Sequence, residues 1–154
     1  MSGISGYRRV QDFARLTATE VRVLEAVAEG LTNQERAESL SMGKNTYGGR
    51  LTSISRKLLV SGRAAQVHTA YLNGQLARPE AADAPAGFFE EDLRLWYLVA
   101  TTTAKGIGQR INLCEHTARG RIRDLMKRAG ARNESHLVKL GHAYRVLGAE
   151  VTAR

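Results

Sequence analysis

Apolar residues recur along this chain in short blocks at helical spacing, separated by capping residues and glycines. Thr17 and Glu20 form a capping-box pattern directly ahead of Val21, Leu24, Val27 and Ala28, which predicts a helix from about Ala18 to Glu29 ended by Gly30. Thr32 or Asn33 then caps a second helix with Glu35 early and Ala37 and Leu40 inward. Past Gly43, the series Tyr47, Leu51, Ile54 and Leu58 predicts a third helix from Lys44. Gly48 and Gly49 fall inside it, each costing about 1 kcal/mol relative to alanine. A fourth runs from Ser61 or Gly62 to Leu72, with Ala65, Val67, Ala70 and Tyr71 inward or partner-facing.

Residues 74–87, GQLARPEAADAPAG, break the pattern and read as a linker. The pattern then restarts. Leu93 or Leu95, Leu98 and Val99 mark a helix beginning near Phe89, and Ile107 and Ile111 mark another, with Leu113 ahead of a third. That third helix, EHTARGRIRDLMKRAG over residues 115–130, carries Ile122, Leu125, Met126 and Ala129 on one stripe. Arg119, Arg121, Arg123, Lys127 and Arg128 fill much of the rest of its circumference. Leu137, Leu140, Tyr144 and Leu147 mark a last helix. A shift of 71 residues lays Glu20 on Glu91, Leu24 on Leu95, Ala37 on Gly108, Thr46 on Thr117, Leu51 on Ile122, Ile54 on Leu125 and Val67 on Val138. The chain reads as one small helical module used twice.

Composition narrows the picture. Three Phe, one Trp and five Tyr in 154 residues leave the core to Leu, Val, Ile and Ala, which suits close-packed short helices. The aromatics gathered at Phe88, Phe89, Trp96 and Tyr97 are expected in an inter-module or dimer contact or in the core, ahead of base stacking. The net charge of +8 raises the case for a polyanionic partner. Residues 1–76 carry ten basic and six acidic side chains and residues 77–154 thirteen and nine, so each half has the same excess.

Cys114 is the only cysteine, and His68, His116, His136 and His142 have no companions at metal-ligand spacing; no metal and no cofactor are expected. Phosphate-binding glycine loops, nucleophile elbows and paired catalytic carboxylates are absent from the sequence, so the protein is not expected to be an enzyme. With no apolar run of membrane-spanning length and no signal-peptide core, a cytoplasmic protein is the expectation, associated with the nucleoid when DNA-bound.

The residues Leu16-Thr17, Glu20, Val23-Leu24, Ala28, Gly30-Leu31, Asn33, Glu35, Ala37, Leu40, Thr46, Leu51, Ile54, Lys57-Leu58, Val60, Arg63 and Val67 resemble the GerE/LuxR-type helix-turn-helix domain of bacterial regulators. A looser resemblance in the second half rests on Leu95, Leu98, Ile107, Ile111, Thr117, Ile122, Leu125, Gly130-Ala131 and the segment from Leu137. The resemblance implies an all-α chain of two tandem four-helix domains. These are an N-terminal arm over 1–15, a first domain over 16–73, the linker over 74–87 and a second, divergent domain over 88–150. The sequence departs from the family where Gly43 and Cys114 replace the usual serine cap of the recognition helix, and where Gly48 and Gly49 replace polar or basic residues. The family's glycine before the second helix is Gly30 in the first half, with Thr101 at the shifted position in the second.

What the resemblance implies for function is sequence-specific binding of double-stranded DNA by a bacterial, plasmid or phage transcriptional regulator. The candidate contacts are Lys44, Asn45, Thr46, Arg50 and Lys57 in the first half, and His116, Thr117, Arg119, Arg121, Arg123, Lys127 and Arg128 in the second. A guanidinium can grip a phosphate or donate twice to guanine, while Asn and Thr suit adenine edges and phosphates. Glu115 either accepts from cytosine or stabilises its helix terminus. The alternative is a helix-turn-helix-fold interaction or architectural protein, with one module on DNA and the other docked on sigma factor or polymerase. Paired use follows from the family in either of two ways. One is a pseudo-dimer within the chain, whose linker lets the modules reach DNA turns about 34 Å apart. The other is a homodimer through the Ala65–Tyr71 or Leu137–Tyr144 face of a fourth helix.

Overall fold

The computed structural model describes residues 14–148. Most of the expected N-terminal arm, including Arg8 and Arg9, and the last two residues of the expected second domain lie outside them. The described chain forms two four-helix units and is all-α. The first comprises α1 (Ala18–Ala28), α2 (Asn33–Ser39), α3 (Lys44–Leu58) and α4 (Arg63–Leu72). The second comprises α5 (Glu90–Thr101), α6 (Ala104–Arg110), α7 (Glu115–Ala129) and α8 (Glu134–Ala143).

The caps explain where these helices start. Thr17 accepts from the Glu20 N–H at 3.1 Å while Glu20 accepts from the Thr17 N–H at 2.8 Å, the reciprocal box expected at α1. The same exchange at 3.1 and 2.8 Å makes Thr32, rather than Asn33, the cap of α2. In the second unit Asp92 accepts from the Phe89 N–H, Thr103 from Gly106 and Asn133 from His136. Gly43 and Cys114 offer α3 and α7 no side-chain cap, in line with the weaker start expected there.

The two units match in geometry at a nearly fixed interval. Helix bounds 33–39, 44–58 and 63–72 recur at 104–110, 115–129 and 134–143, and the left-handed residues Ser41, Leu59 and Gly74 recur at Asn112, Gly130 and Arg145. The first helix departs from that interval. Buried Val23, Leu24, Ala26, Val27 and Ala28 correspond to buried Leu95, Trp96, Leu98, Val99 and Ala100, a shift of 72 residues. Glu20 therefore corresponds to Asp92 and not Glu91, and Leu24 to Trp96 and not Leu95. One residue is missing from the second copy between its first two helices, so Gly30 has no counterpart there. Gly30 turns the chain at φ +77°, and a β-carbon on it would lie 2.9 Å from the Arg132 side chain. In the second unit the extended residue Thr102 makes the shorter connection.

The two units are not separately cored. Val27, Val67, Leu98 and Leu137 belong to one continuous apolar interior, in which α4 packs on α8, α1 on α8 and α4 on α5. The faces proposed for a homodimer, around Val67 and Tyr71 and around Leu137 and Val138, instead meet each other inside the chain. At this junction His68 Nδ1 and His142 Nε2 share a hydrogen bond of 2.9 Å, and the His142 ring lies 4.6 Å from that of Tyr71. Trp96 is fully buried beside it and donates its indole N–H to the Leu137 carbonyl at 2.7 Å. Outer ion pairs, Lys139 with Glu29 and Arg132 with Glu35, also cross between the units.

Two stretches read differently in three dimensions. Within the expected linker, Leu76 is buried, Arg78 donates to the Leu147 carbonyl at 3.0 Å and the Ala82 N–H donates to Ala143 at 2.9 Å. The prolines stop helix formation but leave backbone and side chains able to strap the second unit. Leu147 is not on the last helix: the chain turns back after Ala143 and the Leu147 N–H returns to Gly141. Leu76 makes the equivalent return to Ala70.

Candidate nucleic-acid interface

The interface is built on the turn between the second and third helices of each unit. In the second unit Asn112 adopts φ 61° and the Leu113 N–H donates to Gly108 at 2.8 Å. A β-carbon on Gly108 would meet the Leu113 carbonyl at 2.7 Å, so this turn closes tighter than its partner, where Ala37 accepts from Met42 at 2.9 Å.

Ala118, Ile122, Leu125 and Ala129 fix the inner face of α7. Positions three and four residues apart share a helix face, so His116, Arg119, Arg123 and Lys127 form a row on the side away from that core, and all four are exposed. Arg119 is held by Glu115 at 2.9 Å, which places Glu115 as a helix-start partner of a cation. Thr117 contacts Cys114 Sγ at 3.2 Å and Arg121 stands on the neighbouring flank.

In α3 the buried set is Tyr47, Leu51, Ile54 and Leu58, and the outward row contains Asn45, Gly48, Gly49, Thr52 and Arg56. Nothing stands within 4 Å of where a β-carbon would sit on Gly48 or Gly49. The protein's own packing does not require either glycine. Lys44, Thr46 and Arg50 are exposed nearby.

Two candidates have other work. Lys57 bonds Glu20 at 2.6 Å, and Arg128 bonds Asp92 at 2.7 and 2.9 Å and Asp124 at 3.0 Å. In each unit, therefore, an acid in the first turn of the first helix is tied to a cation in the last turn of the third. Burial alone would raise the Glu20 carboxyl. Hydrogen bonds from Lys57, Ser53 and the Thr17 backbone, with the Lys57 charge, bring it down to about 2. Hydrogen bonding by Asp92 raises Arg128 above the usual guanidinium range. Both cations are thus engaged within the protein as ties between helices.

Arg56, which points away from the inward face, is not among the candidate contacts drawn from the sequence. A helical projection of α3 would have found it, because it lies seven residues from Gly49 on the outward row. Arg22, Arg94 and Arg110 are further exposed arginines, outside the third helices and marked by no local pattern.

Residues 14–70 match the family described as "Bacterial regulatory proteins, luxR family" (GerE), a span that takes in α1 to α3 and most of α4. The first unit is a GerE-type helix-turn-helix domain. GerE-type domains are non-catalytic DNA-binding modules. No curated protein and no solved structure matches the chain. No helix among the described residues is long and apolar enough to cross a membrane.

Proposed function

We propose that the chain is a sequence-specific, double-stranded DNA-binding protein that regulates transcription through two helix-turn-helix units of common descent. The observation that carries this reading is the exposed row His116, Arg119, Arg123 and Lys127, standing on the third helix of a helix-turn-helix over a buried face. The GerE-type match to the first unit and the repeated helix bounds support treating the second unit as a divergent copy. Because α4 and α8 pack together within one chain, a single polypeptide presents α3 and α7 as a fixed pair. The site it prefers has two unlike halves: α7 reads base edges through arginine, while α3, with Lys44, Asn45, Thr46, Arg50 and Arg56, chiefly holds the backbone.

The test is binding-site selection with the full chain, followed by anisotropy titrations of Arg119→Glu/Arg123→Glu on the selected duplex. Loss of roughly 100-fold or more in affinity and a shallower salt dependence are expected. Unchanged binding would remove α7 from the interface. RNA duplex serves as competitor, and displacement at equal concentration would favour RNA recognition instead.

A second reading takes the open outward face of α3 at Gly48 and Gly49 as a surface that docks sigma factor or polymerase while α7 alone holds DNA. Arg50→Glu/Arg56→Glu separates the two. Intact DNA binding with lost transcriptional output favours docking, and weakened DNA binding favours the paired reading.

A further inference from the structure

A cleft of about 870 Å³ opens between α5, α6 and α7. Arg94, Arg110, Arg121, Arg123 and Arg128 line it with Glu91, Asp92 and Asp124, over an apolar floor of Leu95 and Ile111. Asp92 and Asp124 are already bonded to Arg128. Arg94, Arg110, Arg121 and Arg123 have no ion-pair partner among the described residues, and all four are exposed. Four guanidiniums around one concavity with a single unengaged carboxylate repel one another, and an anion entering the cleft relieves that repulsion.

We infer that this cleft is a phosphate-gripping site, in which Arg94 and Arg110 join Arg121 to hold phosphodiesters of the strand flanking the groove that α7 enters. The inference rests on the proposed DNA reading and adds contacts from the first and second helices of the unit. The position of the cleft favours duplex backbone over a small free anion, because one of its walls is α7 itself and His116 and Arg123 belong to both the cleft and the outward row. Part of the arrangement recurs in the other unit. Arg22 corresponds to Arg94 at the shift of the first helices and Arg50 to Arg121 at that of the third. Both are exposed and without ion-pair partners among the described residues. Ser39 stands at the place of Arg110, so the grip is stronger on the α7 side.

The experiment compares Arg94→Gln/Arg110→Gln with Arg94→Lys/Arg110→Lys in the full chain. Affinity is measured from low to moderate salt on the selected duplex and on single-base variants of it. For the glutamine pair the slope of log affinity against log salt is expected to fall by about 2, because each phosphate contact accounts for about 0.9 of it. Binding should weaken evenly across the sequence variants, and the lysine pair should keep the wild-type slope. An unchanged slope in the glutamine pair overturns the grip, as does a changed base preference, which would make these residues readers of sequence. Protection of the cleft by inorganic phosphate together with an unchanged duplex slope also overturns it, in favour of a free-anion site. Absence of duplex binding by the wild-type chain is a different outcome and counts against the proposed function itself.

Discussion

The helices α3 and α7 have the same length, the same place in their units and the same arrangement of buried positions, yet present opposite outward faces. On α7 the row is His116, Arg119, Arg123 and Lys127; at the corresponding places α3 has Asn45, Gly48, Thr52 and Arg56. Packing constrains only the inner face of such a helix, so an outward face can change without disturbing the buried contacts, at no more than the propensity cost of residues such as Gly48 and Gly49. The two units share a scaffold and differ in what it presents outward.

That contrast can be broken most directly at the charges. Reversal of Arg119 and Arg123 is expected to cost roughly 100-fold or more in duplex affinity, whereas reversal of Arg50 and Arg56 costs on the order of 10-fold, both read by anisotropy at one salt concentration. Equal losses would mean that the helices share the reading.

The structural ties offer a second contrast. Glu20 is 1% exposed, so Lys57→Met strands a buried carboxylate and is expected to cost about 3 kcal/mol in urea unfolding. The Asp92 pair is wetter, with the Arg128 side chain 38% exposed, and Arg128→Met should cost under about 1 kcal/mol.

Acid should act on the junction between the units. Burial lowers His68 to about 4; burial, then the neighbouring His68, Arg78 and Arg145, lower His142 to about 3. His68 Nε2 and His142 Nδ1 have no hydrogen-bond partner among the described residues to receive a further proton. Both folded values lie below the unfolded imidazole value of about 6.5. The unfolded chain therefore binds more protons between them, and stability falls as pH drops from 6.5 towards 4. The loss is on the order of 3 kcal/mol per imidazole, read from denaturant midpoints at pH 7 and pH 4. His68→Leu should flatten that dependence. Glu20, with its lowered value of about 2, adds a further loss only below about pH 4.5.

The smallest effects concern Gly48 and Gly49. Alanine at either should raise stability by about 1 kcal/mol, since the added carbon meets open space and the helix gains propensity. Unchanged duplex affinity in these variants fits a face that carries no base contacts; a marked fall would show that the bare backbone itself lies close to DNA.

Much of this architecture was legible in the residues. Thr17 with Glu20 located the start of α1, and Tyr47, Leu51, Ile54 and Leu58 gave the buried face of α3, because a single helix advertises both its caps and its apolar stripe. The interval of the repeat was legible for three of the four helix pairs. It slipped at the first because pairing Leu24 with Leu95 gives as plausible an apolar match as pairing it with Trp96, and only burial separates them. The outward row on α7 and the Asp124–Arg128 pair four residues apart were readable from spacing, but the ties of Lys57 to Glu20 and of Arg128 to Asp92 were not, since those carboxylates lie 37 and 36 residues away.

By itself, then, the sequence determined eight helices among the described residues and their inward faces, both of which follow from interactions a few residues apart. Tertiary structure alone decided that α4 and α8 meet, that His68 finds His142 and that Leu76 and Leu147 fold back into the interior. The physical reason is that hydrophobic burial is non-directional. A stripe such as Val67, Ala70 and Tyr71 must be covered, but which of several apolar surfaces covers it depends on shape and on chain connections that periodicity does not encode.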